Sequence, residues 1–454
     1  MSKLNHQNII ETDSGQDLPR GMGDNGSLTI EYVAAASLKA DERSARRYNR
    51  ADRRAAQSIV KSMHVRLPLL VGPDNVILWG EHIHAAALAE GIDELPIVRV
   101  ANKGPAARRA LSVAYTRLGE LGSWEREQLG TLMLEFEAEI PNFDLGDLGF
   151  EVTEIDLAIE AAGAQEEVPE GPLPEGPAVS MVGDMWYLAK HRLLVGDATD
   201  PAIHEKLMGG ASVHAVFTDP PFGCKIDGFV AGTGRHREFV MASGEMSEKE
   251  LFCFFKAFLV AMKGHLVGGA AIYLVIDWRS LHLLLEAASP IYGKLINLAV
   301  WVKDRAGMGS FLRSQHELIL IFKMPGKMRN NVELGKNGRH RSNIWCYPSA
   351  KTASTGSDEG NMLASHPTPK SVRMLADAIL DTTRRGDIVL DPFLGSGTTL
   401  IAAEKVGRTC YGLELDPLYA DLIVRRWQAW TGERAIHAET GLSFDEMADL
   451  RNPD

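Results

Sequence analysis

Two short stretches carry side chains able to do chemistry together. In "FTDPPFGC" (Phe217–Cys224) an apolar run ends in Asp219, followed by Pro220, Pro221 and Phe222. Prolines have no N–H to donate, so they stop a sheet ladder and stiffen the turn, while their carbonyls stay available as acceptors. A carboxylate and a carbonyl provide two acceptors for the two hydrogens of an exocyclic amino group. The Phe222 ring offers a face on which a planar base can stack. Held in this way, an amino nitrogen is oriented to attack a methyl carbon.

The second stretch, "GDIVLDPFLGSGTTLIAAEKVGRTCYGLELDP" (Gly386–Pro417), has an apolar strand ending in Asp391 and then Phe393 in a loop. Gly395 and Gly397 follow, then Thr398 at a helix start, and a second strand ending in Glu414, 19 residues beyond Gly395. Glycines admit close approach to a ligand, and an acid about 20 residues on suits a ribose diol. A dinucleotide loop would have a third small residue where Leu400 stands. The pattern therefore points to a nucleoside-type cofactor rather than to NAD.

Elements must bring these stretches together. Strands are expected at Leu193–Val195, Ala215–Thr218, Ala270–Ile276, Leu298–Trp301, Leu318–Phe322, Ile388–Leu390 and Cys410–Leu413. Helices are expected at Glu248–Met262, Leu281–Glu286, Lys370–Leu380, Thr399–Val406 and Leu418–Trp430. This alternation predicts a doubly wound α/β sheet with a crevice at the carboxyl ends of its strands. Upstream, residues 1–27 read as a disordered tail and 28–104 as a small α+β domain. Residues 105–162 read as a helical extension and 163–180 as a Pro/Gly/Glu-rich linker; 181–434 form the α/β domain and 435–454 a tail.

Composition narrows the class of protein. The chain has 454 residues, a net charge of −12 and four scattered cysteines without metal-ligand spacing. No metal site is expected, and the thiols are expected to stay reduced. There is no uncharged apolar run of about 18 residues and no secretory h-region, so no membrane partner and a cytoplasmic location are expected. Six Lys/Arg against one Glu in Lys323–Arg341 make a local basic patch suited to nucleic acid despite the overall acidity. His316 and His366 read as structural hydrogen-bonders, and Cys224 as a small loop residue.

With "DPPF" and "DPFLGSGTT" in this order, the chain resembles the amino-methylating DNA methyltransferases that use S-adenosylmethionine, in their circularly permuted beta group. "LLVGDAT" (Leu193–Thr199), "VWVKDRAGMGSFLRSQHELILIFK" (Val300–Lys323) and "SHPTPKSVRML" (Ser365–Leu375, with Ser371 in place of a proline) extend the resemblance over about Met181–Gly432. The resemblance implies a Rossmann-like methyltransferase sheet. Asp219 and the Pro220 carbonyl would hold the amino group and Phe222 would stack on a flipped base, with Pro221 completing the catalytic motif. Asp197, Thr368, Lys370, Asp391, Phe393, Gly395, Gly397, Thr398 and Glu414 would serve the cofactor. Because methylation inside a duplex requires base flipping, double-stranded DNA is the implied partner. Arg235 and Arg237 would contact it from the loop after the motif. Lys336, Arg339 and Arg341 would contact it from a target-recognition insertion at about 323–362. Asp in the first catalytic position favours adenine N6. N4-cytosine methylation is the alternative, and a binding module with an inactive methyltransferase fold the second. A homodimer and a paired restriction endonuclease are open partner readings.

Residues 28–102, with "PLLVGPDNVILWGEH", an Ala-rich helix and "ELPIVRV", resemble the ParB-like fold. The turn that carries a nucleotide-binding arginine in partition proteins reads Gly80-Glu81-His82-Ile83-His84 here. DNA docking, protein contact or a structural role is expected of it, not nucleotide hydrolysis.

Overall fold

The computed structural model describes residues 28–452 except 101–103, 120, 141–142, 164–172, 175, 223–245, 307–310, 333–334, 336–338, 340 and 349–369. These residues fall into two compact units, one from Met1–Trp124 with Asn142–Phe150, the other from Glu125–Pro141 with Glu151–Asp454.

The first unit holds β1 (Ile30–Ala34), α1 (Arg50–Met63), β2 (Leu69–Val71), β3 (Ile77–Trp79), α2 (Glu81–Ala89), β4 (Glu94–Arg99) and α3 (Pro105–Leu118). Its sheet runs β1-β4-β2-β3. The turn Gly72-Pro73-Asp74-Asn75 joins β2 to β3 as antiparallel partners, with Asn75 at φ 61°. Leu69, Val71, Leu95 and Ile97 of the sheet and Ala56, Val60, Ala86 and Ala87 of two helices form its core. His84 is buried, with Nε2 2.9 Å from the Ala35 carbonyl, and so has a structural contact.

The second unit opens with α4 (Arg126–Glu139) and α5 (Val152–Ala162), so the helical stretch expected at 105–162 divides between the units. A Cβ on Gly130 would lie 2.0 Å from the Ala158 carbonyl oxygen, which shows how closely the two helices approach. Asp156 of α5 forms a buried two-oxygen pair with Arg408 at 2.7 and 2.8 Å.

There follow β5 (Met185–Leu188), β6 (His191–Val195), α6 (Pro201–Met208), β7 (Val213–Thr218), α7 (Glu248–Lys263) and β8 (Leu266–Ile276). Next come α8 (Leu281–Tyr292), β9 (Asn297–Val302), β10 (His316–Lys323), β11 (Ile344–Cys346), α9 (Val372–Thr382) and β12 (Ile388–Asp391). The chain ends with α10 (Thr398–Lys405), β13 (Thr409–Glu414), α11 (Pro417–Thr431), β14 (Ile436–His437) and α12 (Phe444–Arg451). The sheet order is β11-β9-β10-β8-β7-β12-β13-β6-β5-β14. Strands β8, β7, β12, β13 and β6 are parallel neighbours, flanked by antiparallel pairings of β10 and β5.

Strand β8 shows why these strands read as unbroken apolar runs. Ala271, Tyr273 and Val275 pack on the face covered by α9–α12, and Ile272, Leu274 and Ile276 on the face covered by α6–α8. A strand buried on both sides has no polar alternate. This is the expected doubly wound α/β sheet. From β7 the chain winds outward to β8, and from β12 it winds the other way to β13. The switch point therefore lies between the carboxyl ends of β7 and β12, where such folds place ligands.

Some boundaries moved. Helix α8 continues through Pro290 to Tyr292, and α9 starts at Val372 because Ser371 caps it, which leaves Lys370 outside the helix. Strands β5, β11 and β14 and helices α6 and α12 escaped the sequence reading; they are short, from two to eight residues. The end of the expected linker is fixed, since the Asp421 carboxylate accepts from the backbone N–H groups of Val179 and Ser180 at 2.7 and 2.9 Å. Among the described residues no helix is long and apolar enough to cross a membrane, and no His/Cys/Asp/Glu cluster could hold a metal.

Candidate active site

Strands β7 and β12 deliver the two motifs to one place. The Thr218 hydroxyl, last in β7, donates to Asp391 Oδ1, last in β12, at 2.8 Å. Asp391 also accepts from the Phe393 N–H at 3.0 Å and from the Thr399 hydroxyl at 2.6 Å. Its carboxylate thus ties the catalytic strand, the loop and the first turn of α10 together. Burial raises its pKa to about 6 against these three hydrogen bonds.

Asp219 is the next residue beyond Thr218. Lys370 Nζ lies 2.6 Å from its Oδ2, while Oδ1 is buried and has no hydrogen-bond partner among the described residues. Lys370 also donates to Glu317 Oε2 at 2.7 Å, and Lys303 donates to Glu317 Oε1 at 2.6 Å. Both ammoniums lie near the Trp301 ring, 5.3 and 4.8 Å from its centroid. Burial holds the Asp219 carboxyl above its ordinary range; Lys370 pulls it down and Glu317 pushes it up. Pro220 is buried, Phe222 is half-buried against the α6–α8 core, and the Ser280 hydroxyl donates to the Phe222 carbonyl at 2.9 Å.

On the other side of β12, Glu414 ends β13. Its Oε2 accepts from Gly395 N–H at 2.8 Å and its Oε1 from Asp416 N–H at 2.9 Å. Burial raises its pKa to about 7. The Gly196 N–H bonds to the Glu414 carbonyl at 2.9 Å, so Asp197 sits beside this strand end, with Oδ1 accepting from the Thr199 N–H and hydroxyl at 2.8 Å. Gly395 and Gly397 take φ of 54° and 81°, conformations that favour glycine. Gly397 is also tight, since a Cβ would come within 3.0 Å of Ile423.

Several of the expected residues have partners within the chain. Lys370, expected at the cofactor, has its ammonium on Asp219 and Glu317. The Phe393 ring packs edge-on against Phe258 and tilted against Phe254 of α7, at 5.0 and 5.7 Å. The Thr398 hydroxyl is buried near Ser396 Oγ at 3.3 Å and Arg426 Nη1 at 3.5 Å. Arg339 and Arg341, expected on DNA, are drawn inward. Arg339 is 6% exposed and pairs with Asp377 at 3.0 Å and Asp381 at 3.4 Å. Arg341 binds Asp381 at 2.9 Å and the Tyr347 hydroxyl at 2.6 Å, and lies over Trp345. A basic run counted along the sequence could not reveal these carboxylates, which come from α9. Thr368, Arg235, Arg237, Lys336, His366 and Cys224 lie outside the described residues. The reading missed Glu317, Lys303 and Thr218 as site members. The polar pair His316-Glu317 at the head of an apolar strand was the available signal for the first.

Residues 213–425 match the family model described as DNA methylase, whose name covers N6 and N4 methyltransferases. The chain is 29% identical over 145 residues to Type II methyltransferase M2.DpnII of Streptococcus pneumoniae, covering 30% of this chain and 52% of that protein. It is 24% identical over 230 residues to Type II methyltransferase M2.MboI of Moraxella bovis, covering 48% of this chain and 82% of that one. The chain thus spans about half of the first relative. Among solved structures, it is similar to the cytosine-N4-specific PvuII DNA methyltransferase (16% identity, 58% of this chain, 91% of that one, TM-score 0.42). It is also similar to a truncated chromosome-partitioning protein ParB of Caulobacter crescentus (15% identity, 29% and 77%, TM-score 0.25). The matched stretch bears Asp219, Asp391 and Glu414, so the similarity to the DNA methylase family lies in the α/β unit.

Proposed function

We propose that this chain is an S-adenosylmethionine-dependent DNA methyltransferase acting on the N6 amino group of adenine in duplex DNA, in the cytoplasm. One observation carries the reading: Asp219 Oδ1 is a buried acceptor with no partner among the described residues, at the end of β7 beside the glycine loop. A buried acceptor left unpaired costs free energy, so its retention suits a substrate donor.

The residues present fit the cofactor. Glu414 stands at the strand end with each oxygen already oriented by a backbone N–H, and a carboxylate oxygen has capacity for a further hydroxyl. In this reading Glu414 takes the ribose hydroxyls, Gly395 leaves room beside it, and Asp197 lies near the same edge. The bound cofactor supplies an electrophilic methyl group on a sulfonium. Asp219 Oδ1 and the Pro220 carbonyl accept the two hydrogens of the target amine and aim its lone pair. The Phe222 ring, its backbone held by Ser280, gives the flipped base a stacking face. The aspartate at the first motif position supports adenine over cytosine, by resemblance to the amino-methylating group.

Incubating the chain with methyl-labelled cofactor and mixed-sequence duplex DNA, then digesting to nucleosides, tests this. Label in N6-methyladenine is expected. Label in N4-methylcytosine would replace adenine with the second reading, and no label in any nucleoside would overturn the enzymatic one.

A further inference from the structure

Four charged groups, Lys370 and Glu317 buried and Asp219 and Lys303 half-buried, make with one indole a cluster that the proposed chemistry does not by itself require. Asp219, Lys370, Glu317 and Lys303 alternate in sign, linked by contacts of 2.6, 2.7 and 2.6 Å. They come from four places: the residue after β7, the residue before the α9 cap, the second residue of β10, and the residue after β9. The Lys370 side chain is 7% exposed and that of Glu317 10%. Burying such charges is expensive, and apolar residues of like volume often serve stability as well or better. The cluster is therefore weak as a stabilising device.

What it does geometrically is divide the Asp219 carboxylate. One oxygen is taken by an ammonium; the other has no hydrogen-bond partner among the described residues. Glu317 and the Trp301 ring keep that ammonium from turning away, because each attracts it from another side. We infer that Lys370 and Glu317 are positioning residues: Lys370 occupies Asp219 Oδ2 and leaves Oδ1 as the acceptor for the substrate amine, while Glu317, itself held by Lys303, fixes Lys370. This rests on the methyltransferase reading of the site.

The two residues act on the Asp219 carboxyl with opposite sign. The charged groups bearing on Asp219 are Lys370 and Lys303, which favour its ionised form, and Glu317, which opposes it; Asp391 of β12 is the neighbouring acid. An acceptor must be ionised to take both its ammonium and the amine, so its titration sets the acid limb of the activity profile. Removing Lys370 raises that limb, and removing the Glu317 charge lowers it.

The experiment is the pH dependence of kcat/KM for methyl transfer by the wild-type chain and by Lys370→Met, Lys370→Arg and Glu317→Gln. Thermal melts and cofactor binding are measured on each. Lys370→Met is expected to move the acid limb up by about one pH unit or more. Lys370→Arg should restore it, and Glu317→Gln should move it down. A merely structural cluster would lower activity or melting temperature in all three with the limb in place, and that result overturns the inference. Should Lys370→Met fail to fold, Glu317→Gln decides alone: a downward limb supports the inference, an unmoved one overturns it. A wild-type chain that transfers no methyl overturns the enzymatic reading, and this inference with it.

Discussion

Three acids end three adjacent parallel strands, and they are not equivalent. Asp391, in the middle, has both oxygens engaged by side-chain and backbone donors of the chain itself. Glu414 is oriented by two backbone N–H groups of its own loops. Asp219 has one oxygen on an ammonium and one buried without a hydrogen-bond partner among the described residues. The same chemical group at the same topological position thus serves as latch, as cradle and as open acceptor. Position at a switch point marks a carboxylate as a candidate; its hydrogen-bond accounting separates the one with an open oxygen from the one that holds the frame.

The contrast can be broken at each acid. Asp219→Ala should lower methyl transfer by about 10³-fold with cofactor affinity little changed, since an oriented charge-bearing acceptor is lost; some melting temperature is lost with it, because Lys370 keeps only Glu317. Transfer by that variant within about tenfold of wild type would return Asp219 to the frame. Asp391→Ala should behave the opposite way. It strands the Thr218 and Thr399 hydroxyls and the Phe393 N–H, and should cost about 1–3 kcal/mol in urea denaturation. Any loss of transfer should follow the loss of fold. Gly397→Ala should cost about 1–2 kcal/mol from the positive φ, with Ile423 forced to give way, and loosen the loop beside Glu414.

Glu414 sharpens the comparison through pH. Its folded pKa of about 7 and that of Asp391 of about 6 lie above their unfolded values. Between roughly pH 4.5 and 7 the folded chain then binds more protons than the unfolded one. These two acids therefore favour folding in acid, and that contribution falls as pH rises through their folded pKa values. Denaturation midpoints from pH 5 to 8 should show this component decline and vanish in a Glu414→Gln, Asp391→Asn double variant. Cofactor affinity, if the ionised Glu414 takes the hydroxyls, should instead strengthen as pH rises through 7, which calorimetric titration reads directly.

The basic insertion offers the opposite lesson. Lys323–Arg341 looks like a nucleic-acid patch when counted along the chain, yet Arg339 and Arg341 are consumed by Asp377 and Asp381 of α9. Local composition counts charges but cannot see a helix some forty residues later that neutralises them. Lys370 illustrates the same limit. The resemblance implied a place for it near the cofactor, but its motif shows neither Asp219 nor Glu317, the two distant carboxylates that hold its ammonium.

Much was legible beforehand because it is written in local patterns. Fully buried parallel strands must be apolar runs, a left-handed turn favours glycine, and two prolines end a strand. These gave the seven strands of the central sheet, the glycine loop, and the acids at the strand ends. Short edge strands such as β5 and β11 lacked the length for a pattern.

Residue types and their order were thus enough to determine the fold class, the family resemblance and the three acids. How each acid is bonded was decided only by the tertiary structure. Whether a carboxylate is saturated, cradled or open depends on donors up to 173 residues away, as with Thr218 and Asp391, and a long-range partner leaves no mark in the sequence around either residue.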